Sequence, residues 1–363
     1  MKSLIFCLLI VATTTCFEIP VKRVVKSKEA AVNGVPLDKE TGSFVGVVSL
    51  GTPGQDFNLA FSTNTSALWV PNTSCSCGEK CKNARLCPQL CEAHCCSKSA
   101  LSNSSGSCSN KNTFNVEESR SFIAVDETAN IPFLDSNLTA QLGYDTLRMG
   151  PHYRPGLTAN NIQFGVVNEF EGQYQDVTYD GIFGLGLESV EGVSSPIKQL
   201  YSTGVIPSPL LSAFFVARTE NNVVDGVLTL GQEDTTRCKK SNHFFNVEDN
   251  WGTIDLSSDY IYVPREVLQV VASFFDSKID IITGRVAVNC NRNTYLYFTV
   301  GGTYSRVFSN QIMEPYSGAQ CLLKLKVSPV DAPVQYKFGL PLFTNNCLVL
   351  DFNGKMAVPE KND

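Results

Sequence analysis

Short apolar runs separated by turn-forming residues are the feature that most restricts the fold of this chain. Clear examples occupy residues 44–50, 57–61, 226–230 and 295–300, with clusters of Gly, Pro, Asn, Asp and Ser between them. Runs of this kind, rich in β-branched and aromatic residues, are typical of β-strands joined by turns. The chain has 363 residues, of which 43% are hydrophobic, so it can bury the core of one large or two medium domains. The sequence therefore predicts a mainly β protein.

Helical patterns are confined to short pieces. Residues 195–201 carry Pro196 at a first-turn position, where its missing N–H costs nothing, and residues 264–275 have apolar side chains at helical spacing. The sequence predicts a short helix in each segment.

Two segments resemble each other and suggest an internal repeat. Ser62 lies nine residues before Pro71, and Asp255 lies nine residues before Pro264. Both segments read as an apolar strand, a small polar turn and an apolar exit, and each is followed much later by an apolar run containing glycine, at 180–186 and 338–343. The pattern favours two similar lobes that face each other.

The N-terminus has the layout of a secretory signal peptide. Lys2 precedes an apolar run at 4–12, and the small residues Thr14 and Cys16 follow, so cleavage is expected after Cys16. The run is too short to anchor the chain across a bilayer, and no later stretch is long and apolar enough to do so. We expect a soluble protein that is secreted or lumenal, with a lysosome-like compartment as the lumenal alternative.

Cysteine usage agrees with an oxidising compartment. Of 14 cysteines, two lie in the expected signal peptide, and the even number that remains predicts disulfides. Eight lie in one insert and four lie later in the chain: Cys75, Cys77, Cys81, Cys87, Cys91, Cys95, Cys96 and Cys108, then Cys238, Cys290, Cys321 and Cys347.

The cysteine-rich insert at 75–108 has two interpretations. A zinc site would use Cys91, His94, Cys95 and Cys96, but their spacing fits no standard pair of C-x2-C motifs, so disulfides are favoured and no metal is expected. The pairing within the insert stays open, as does the choice between an interaction module and a stabilised surface loop.

Three glycosylation sequons begin at Asn72, Asn103 and Asn137 in polar surroundings and predict glycosylated surface loops. A fourth begins at Asn64, in a turn that we expect to be largely buried. The formal net charge of -6 and the lack of a basic block argue against nucleic-acid binding.

Ordered motifs over most of the chain resemble the pepsin-like aspartic proteases. They follow in the family's order at 46–55 (G-T-P-x-Q), 61–71 (F-D-T-G-S-x-x-L-W-V-P), 142–147 (L-G-x-D-T-V), 163–165, 179–186, 195–200 and 225–231. The stretch 179–186, Tyr-Asp-Gly-Ile-Phe-Gly-Leu-Gly, is the strongest match. The resemblance implies a bilobal β fold with a long cleft between the lobes. It also implies a Cys290–Cys321 disulfide, which leaves Cys238 and Cys347 as the other pair.

The family's chemistry requires two carboxylates, one per lobe, that share a proton across a water molecule. Their charges lie so close that both cannot ionise, so their pKa values split and one acts as acid while the other acts as base. Thr hydroxyls next to them lock the two loops together, and a following glycine lets each turn fold tightly.

This sequence departs from that pattern in both turns. Ser62 stands at the first Asp position and Asn64 at the following glycine, whereas Asp255 is present but is followed by Leu256 and Ser257 in place of Thr-Gly. A lone Asp should be ionised near neutral pH, and a serine hydroxyl cannot hold the shared proton. The resemblance therefore implies that Asp255 is kept without function and that Ser62 is a degenerate position.

Other interpretations of these residues are weaker. Ser62 could be a nucleophile, but no motif places a histidine beside it, the three being His94, His152 and His243. Tyr260 and Tyr262 could line the cleft, although we favour plain strand residues.

Three further departures concern longer segments. The flap region, 121–130, lacks the family's Tyr and Gly, because no Tyr lies between Phe114 and Gly143 and no Gly between Gly106 and Gly143. Residues 17–43 resemble a shortened prosegment, and the second lobe is shortened between Cys238 and Asp255.

The domain limits that follow are a signal peptide at 1–16, a prosegment remnant or N-terminal extension at 17–43, an N-terminal β lobe at 44–205 and a C-terminal β lobe at 206–363. The leading hypothesis is a proteolytically inactive monomer that binds a peptide or protein in the cleft, without a cofactor. Two alternatives stay open, an active aspartic endopeptidase with a modified site and a structural or interaction glycoprotein that uses the cysteine-rich insert.

Overall fold

A computed structural model gives the fold. It describes residues 17–25, 42–77, 110–133, 136–170, 177–217, 224–247, 252–280, 284–330 and 334–362, together with residues 81, 83, 85, 87, 96, 108, 174 and 332. The expected signal peptide, most of the expected prosegment remnant and much of the cysteine-rich insert therefore lie outside the described residues.

Strands account for most of the regular structure. The first eleven are β1 (Phe17–Val25), β2 (Gly42–Leu50), β3 (Gln55–Ser62), β4 (Trp69–Cys77), β5 (Ile123–Phe133), β6 (Ser136–Met149), β7 (Thr158–Phe170), β8 (Gly181–Gly184), β9 (Leu210–Ala217), β10 (Val224–Leu230) and β11 (Phe245–Asn246). The others are β12 (Thr253–Ile254), β13 (Ile261–Val263), β14 (Ala287–Asn289), β15 (Tyr295–Val300), β16 (Thr303–Phe308), β17 (Met313–Ser317), β18 (Gln320–Leu323), β19 (Leu325–Val327), β20 (Lys337–Phe338), β21 (Leu348–Asp351) and β22 (Lys355–Ala357).

These strands form one long sheet and three small ones within the described part of the chain. The long sheet has the order β11-β22-β21-β9-β10-β1-β2-β3-β8-β4-β7-β6-β5, and the small sheets have the orders β12-β20-β13-β19, β14-β18-β17 and β15-β16. The small sheets draw only on the second half of the chain.

Strand β1 joins the two halves of the chain. It pairs antiparallel with β10 on one side, from Phe17↔Leu230 onward, and with β2 on the other, from Lys22↔Val45 onward. Ile19 and Val21 are buried at 4% and 3% exposure. Residues 17–25 of the expected prosegment remnant are therefore an integral strand of the long sheet.

The two predicted helices are confirmed. Helix α1 (Pro196–Ser202) begins after Ser195, whose Oγ accepts a hydrogen bond from the Ile197 N–H, as an N-cap residue should. Helix α2 is Arg265–Phe274, and it buries Leu268 and Ala272. No helix among the described residues combines the length and the apolar character that a membrane crossing needs.

One apolar core extends through both halves of the chain. It includes Phe44 of β2 and Phe215 of β9, whose ring centroids lie 4.4 Å apart. A second cluster surrounds Trp69, which packs against Phe133 at 5.1 Å between centroids. The continuous core packs the two halves of the chain against each other.

Disulfides cross-link the second half of the chain and the cysteine-rich insert. Cys290 is bonded to Cys321 and Cys238 to Cys347, the two pairs named from the sequence, and Cys75 is bonded to Cys108 and Cys87 to Cys96. Cys77 and Cys81 are also disulfide-bonded. The Cys96 thiol is thus not available as a zinc ligand, while Cys91, His94 and Cys95 lie outside the described residues.

Candidate functional site

The first turn of the site follows strand β3, which ends at Ser62. Strand β8 runs parallel beside it with Ser62 opposite Gly184, and the Leu185 N–H donates to the Ser62 carbonyl at 2.7 Å. A Cβ on Gly184 would lie 2.2 Å from the backbone carbon of Ser66, so only glycine permits this approach. The motif at 179–186 therefore packs against the first turn and hydrogen-bonds its backbone.

The second turn repeats this construction around Asp255. Strand β20 runs parallel to β12 with Ile254 opposite Phe338, and the Asp255 N–H donates to the Phe338 carbonyl at 3.0 Å. A Cβ on Gly339 would lie 2.5 Å from the Ser258 carbonyl oxygen. The two segments that resemble each other in sequence are thus built alike.

The two turns contact each other directly. The Thr63 hydroxyl donates to the Ile254 carbonyl at 2.8 Å and accepts from the Leu256 N–H at 3.5 Å. The Asn64 side-chain amide donates to Asp255 Oδ1 at 3.5 Å. Residues from the two halves of the chain therefore meet at Asp255.

The Asp255 carboxylate is buried and surrounded by groups that favour its charged form. Its side chain is 9% exposed, its Oδ2 lies 3.0 Å from Lys337 Nζ, and its Oδ1 accepts from the Ser257 N–H at 2.9 Å and from the Ser257 hydroxyl. Burial opposes ionisation, but the hydrogen bonds from Ser257 and the charge of Lys337 outweigh it, so the pKa of Asp255 lies below its ordinary value.

Comparison with known proteins identifies the family of this chain. The family model for the eukaryotic aspartyl proteases matches residues 43–257, which is more than half of the chain. The chain belongs to this family.

Several family members align along most of their length. The chain is 23% identical over 346 residues to aspartic protease 2 of Necator americanus, covering 86% of this chain and 81% of that protein. It is 25% identical over 342 residues to aspartic protease 6 of Caenorhabditis elegans, covering 86% and 79%. With pepsin A of Bos taurus it shares 24% over 288 residues, covering 71% and 68%. The expected fold class, a mainly β, bilobal pepsin-like fold, is confirmed.

Ser62, aligned by resemblance with an aspartyl protease Asp, is part of the first turn. Its hydroxyl accepts from the Asn64 N–H at 3.2 Å. The Nδ1 atom of His152 lies 2.9 Å from Asp56 Oδ2. His94 is outside the described residues. Among the residues that can be described, no histidine hydrogen-bonds Ser62, which is the contact that would activate its hydroxyl as a nucleophile.

Lys337 is the site residue that sequence reasoning missed. It directly precedes Phe338, the first residue of the apolar run with glycine at 338–343. A lysine next to the start of that run was the available signal. Tyr262, regarded as a plain strand residue, lies in β13 and also contacts this lysine, with Lys337 Nζ 4.8 Å from its ring centroid.

The expected flap region lies within a long hairpin of β5 and β6. Residues 123–130 belong to β5, and the hairpin closes beyond them, between Phe133 and Ser136. Phe133 packs edge-on against Trp69, whose buried Nε1 has no hydrogen-bond partner among the described residues. Side-chain packing near the closed end therefore holds the hairpin against the strand that leaves the first turn.

The predicted glycosylation sites differ in accessibility. Asn137 is exposed on β6, Asn72 is partly buried on β4, and Asn103 lies outside the described residues. Asn64, expected to be largely buried with its turn, is instead exposed, although Thr65 and Ser66 are buried at 3% and 1% exposure.

Proposed function

We propose that this member of the aspartyl protease family is a secreted protein without proteolytic activity that binds an extended peptide or a protein in the cleft between its lobes. We assign residues 1–16 to a signal peptide, 44–205 and 206–363 to the two lobes, and glycans to Asn72, Asn103 and Asn137. The functional unit is a monomer.

The ion pair between Asp255 and Lys337 is the observation that carries this proposal. Hydrolysis in this family needs two carboxylates that share one proton, so that one of them is an acid. Here a cation lies 3.0 Å from the carboxylate, and Ser62 offers a hydroxyl in place of the second carboxylate. A carboxylate paired with a lysine has no shared proton to donate and a lowered affinity for one.

The contacts between the two turns support a binding cleft between the lobes. The contacts of Thr63 and Asn64 with the second turn hold the two halves of the site together. The relatives named above are proteases, which act on polypeptides, and an extended peptide can bind such a cleft through strand-like pairing. Loss of chemistry with a preserved scaffold favours binding as the function.

A proteolysis assay tests the loss of activity. The purified, secreted protein is incubated with a denatured protein substrate between about pH 2 and about pH 7, the range over which a carboxylate pair titrates, with and without a pepstatin-type inhibitor. We expect no inhibitable cleavage, and saturable binding of peptides. Inhibitable cleavage would establish the active-endopeptidase alternative, whereas neither cleavage nor peptide binding would favour the glycoprotein that acts through its cysteine-rich insert.

A further inference from the structure

A polar groove lies on the long sheet beside the glycosylation sequon that begins at Asn137. Its volume is about 420 Å³, which is within the range of small-ligand pockets. Six side chains line it: Thr128, Asn137, Thr139, Gln141, Asn168 and Glu169. Asn137 and Thr139 are the first and third residues of the sequon, so the groove adjoins the point where a glycan would be attached.

Strand geometry places the sequon and the groove on one face of the sheet. Along β6, Asn137 and Thr139 are exposed, whereas Leu138 and Ala140, which alternate with them, are buried at 2% and 0% exposure. Successive side chains of a strand point to opposite faces of the sheet. The groove residues on β5 and β7 are exposed as well. A glycan on Asn137 would therefore project from the face that carries the groove.

The groove offers both hydrogen-bond donors and acceptors. Asn168 Oδ1 accepts from the Ser74 hydroxyl at 3.5 Å, which orients this amide with its NH2 group as the donor. The Thr139 hydroxyl donates to Asn130 Oδ1 at 3.2 Å, so its oxygen keeps its role as an acceptor. The Glu169 carboxylate is a further acceptor. Hydroxyl and acetamido groups, which both donate and accept, match such a mixed set.

The composition of the groove restricts its occupant. The described side chains that line it include no Lys or Arg, and Glu169 is acidic, so an anion is disfavoured. They include no aromatic or aliphatic side chain either, so an apolar ligand would bury little apolar surface there. A neutral molecule rich in hydroxyl groups is the chemical class that remains, and a glycan on Asn137 supplies one beside the groove.

We propose that the groove binds the N-acetylglucosamine residues at the base of a glycan attached to Asn137. The inference rests on the glycan proposed at Asn137 and adds the site that holds it. Asn168 donates to the sugar, and Glu169 accepts from its hydroxyl or acetamido groups. The base of the glycan is thereby held against β5, β6 and β7, and it shields this face of the sheet from other macromolecules.

Release of the glycan by the amidase PNGase F tests the groove, because this enzyme cuts the bond between the asparagine and the first sugar. The protein is secreted from a cell line that makes high-mannose glycans. Cleavage at Asn137 of the folded protein is then followed by mass spectrometry of its peptides. A sugar held in the groove shields the bond, so we expect Asn168→Ala to raise the initial release rate about tenfold, the equivalent of one or two hydrogen bonds. Glu169→Ala should change the rate in the same direction.

Asn160→Ala is the matched control. Asn160 lies on the same strand, β7, and is exposed, and its Oδ1 accepts from the Thr146 hydroxyl at 3.1 Å, but it does not line the groove. We expect this variant to release the Asn137 glycan at the rate of the natural protein. An equal rise in the Asn160→Ala and Asn168→Ala variants would reflect a general loosening of β7 and would overturn the groove as a glycan site.

The outcomes separate this inference from the proposals on which it rests. A glycan at Asn137 whose release is unchanged by Asn168→Ala overturns the groove and leaves the glycosylation site intact. A secreted protein without a glycan at Asn137 overturns the proposed glycosylation there and the inference with it. Neither result depends on proteolysis or on peptide binding, so the proposed function of the cleft is tested separately.

Discussion

Lys337 Nζ lies 3.0 Å from Asp255 Oδ2, so the carboxylate at the centre of the site is neutralised by a cation. In a catalytic pair of carboxyl groups, the neighbour of the carboxylate is a second acid rather than a cation. Repulsion between the two negative charges then keeps one proton bound to the pair. An ion pair has the opposite effect, since it stabilises the charged carboxylate. The contact is therefore an ion pair that stabilises the charged carboxylate inside the protein.

Lys337→Met tests the strength of this ion pair. The substitution leaves Asp255, whose side chain is 9% exposed, without its cation, and we expect the free energy of unfolding at neutral pH to fall by about 1–2 kcal/mol. A fully buried pair would cost more to break, but the lysine is 40% exposed and water screens its charge. Urea denaturation measures the change, with the exposed Lys355→Met as control. Equal stabilities of the two variants would contradict a stabilising ion pair.

The pH dependence of stability should report the lowered pKa of Asp255. Because the pKa is lower in the folded than in the unfolded chain, ionised Asp255 contributes stability above the unfolded value of about 3.9. That contribution is lost as the pH falls through the folded pKa. Unfolding free energies of the natural protein and Asp255→Asn should thus differ most near neutral pH and converge on acidification. A gap that widens towards low pH would have the wrong sign.

Ser62→Asp alone should not create a protease. The new carboxylate would join a site in which Asp255 is already paired with Lys337, and the resemblance implies that Asn64 would still stand in place of a family glycine. The resemblance also implies that Leu256 would still lack the hydroxyl of the family's second turn. We expect no cleavage of denatured protein at acid pH. Robust, pepstatin-sensitive cleavage by the single variant would show that this explanation of the site is wrong.

Thr63→Val should weaken the contact between the turns. It removes the hydroxyl that donates to the Ile254 carbonyl and accepts from the Leu256 N–H, with little change in shape. Since these backbone groups lose a partner near the buried core, we expect a loss of about 1–2 kcal/mol in unfolding free energy. Thr73→Val is the matched control, because the exposed Thr73 hydroxyl contacts only the Asn72 side chain among the described groups. A similar loss in both variants would argue against the bridging role.

The two disulfides of the second half should contribute unequally. Cys238–Cys347 closes a loop with a sequence separation of 109, against 31 for Cys290–Cys321. Loop-closure entropy predicts losses of about 5 and about 4 kcal/mol on removing the bonds through paired Cys→Ala substitutions. Thermal denaturation of the two double variants gives the ranking, and a larger effect of the shorter loop would contradict the entropic explanation.

Local patterns carried most of what could be predicted about the fold. The Ser195-Pro196 pair marked the start of α1 because capping and a fixed proline φ act within a few residues. The motif at 179–186 was recognisable because its glycines are needed locally, since a Cβ on Gly184 would collide with the backbone of Ser66 in the first turn. The exposure of Asn64 was not predictable, since it depends on how far a second turn from elsewhere in the chain covers it.

The sequence by itself determined the family, the two similar turns and the residue at position 62. Each of these can be recognised from a short continuous stretch of the chain. Only the tertiary structure decided what faces Asp255. Lys337 is distant in sequence and reaches the carboxylate because parallel pairing of β12 with β20 places their ends side by side. Charge pairing depends on distance through space and on exclusion of water, and a linear sequence records neither.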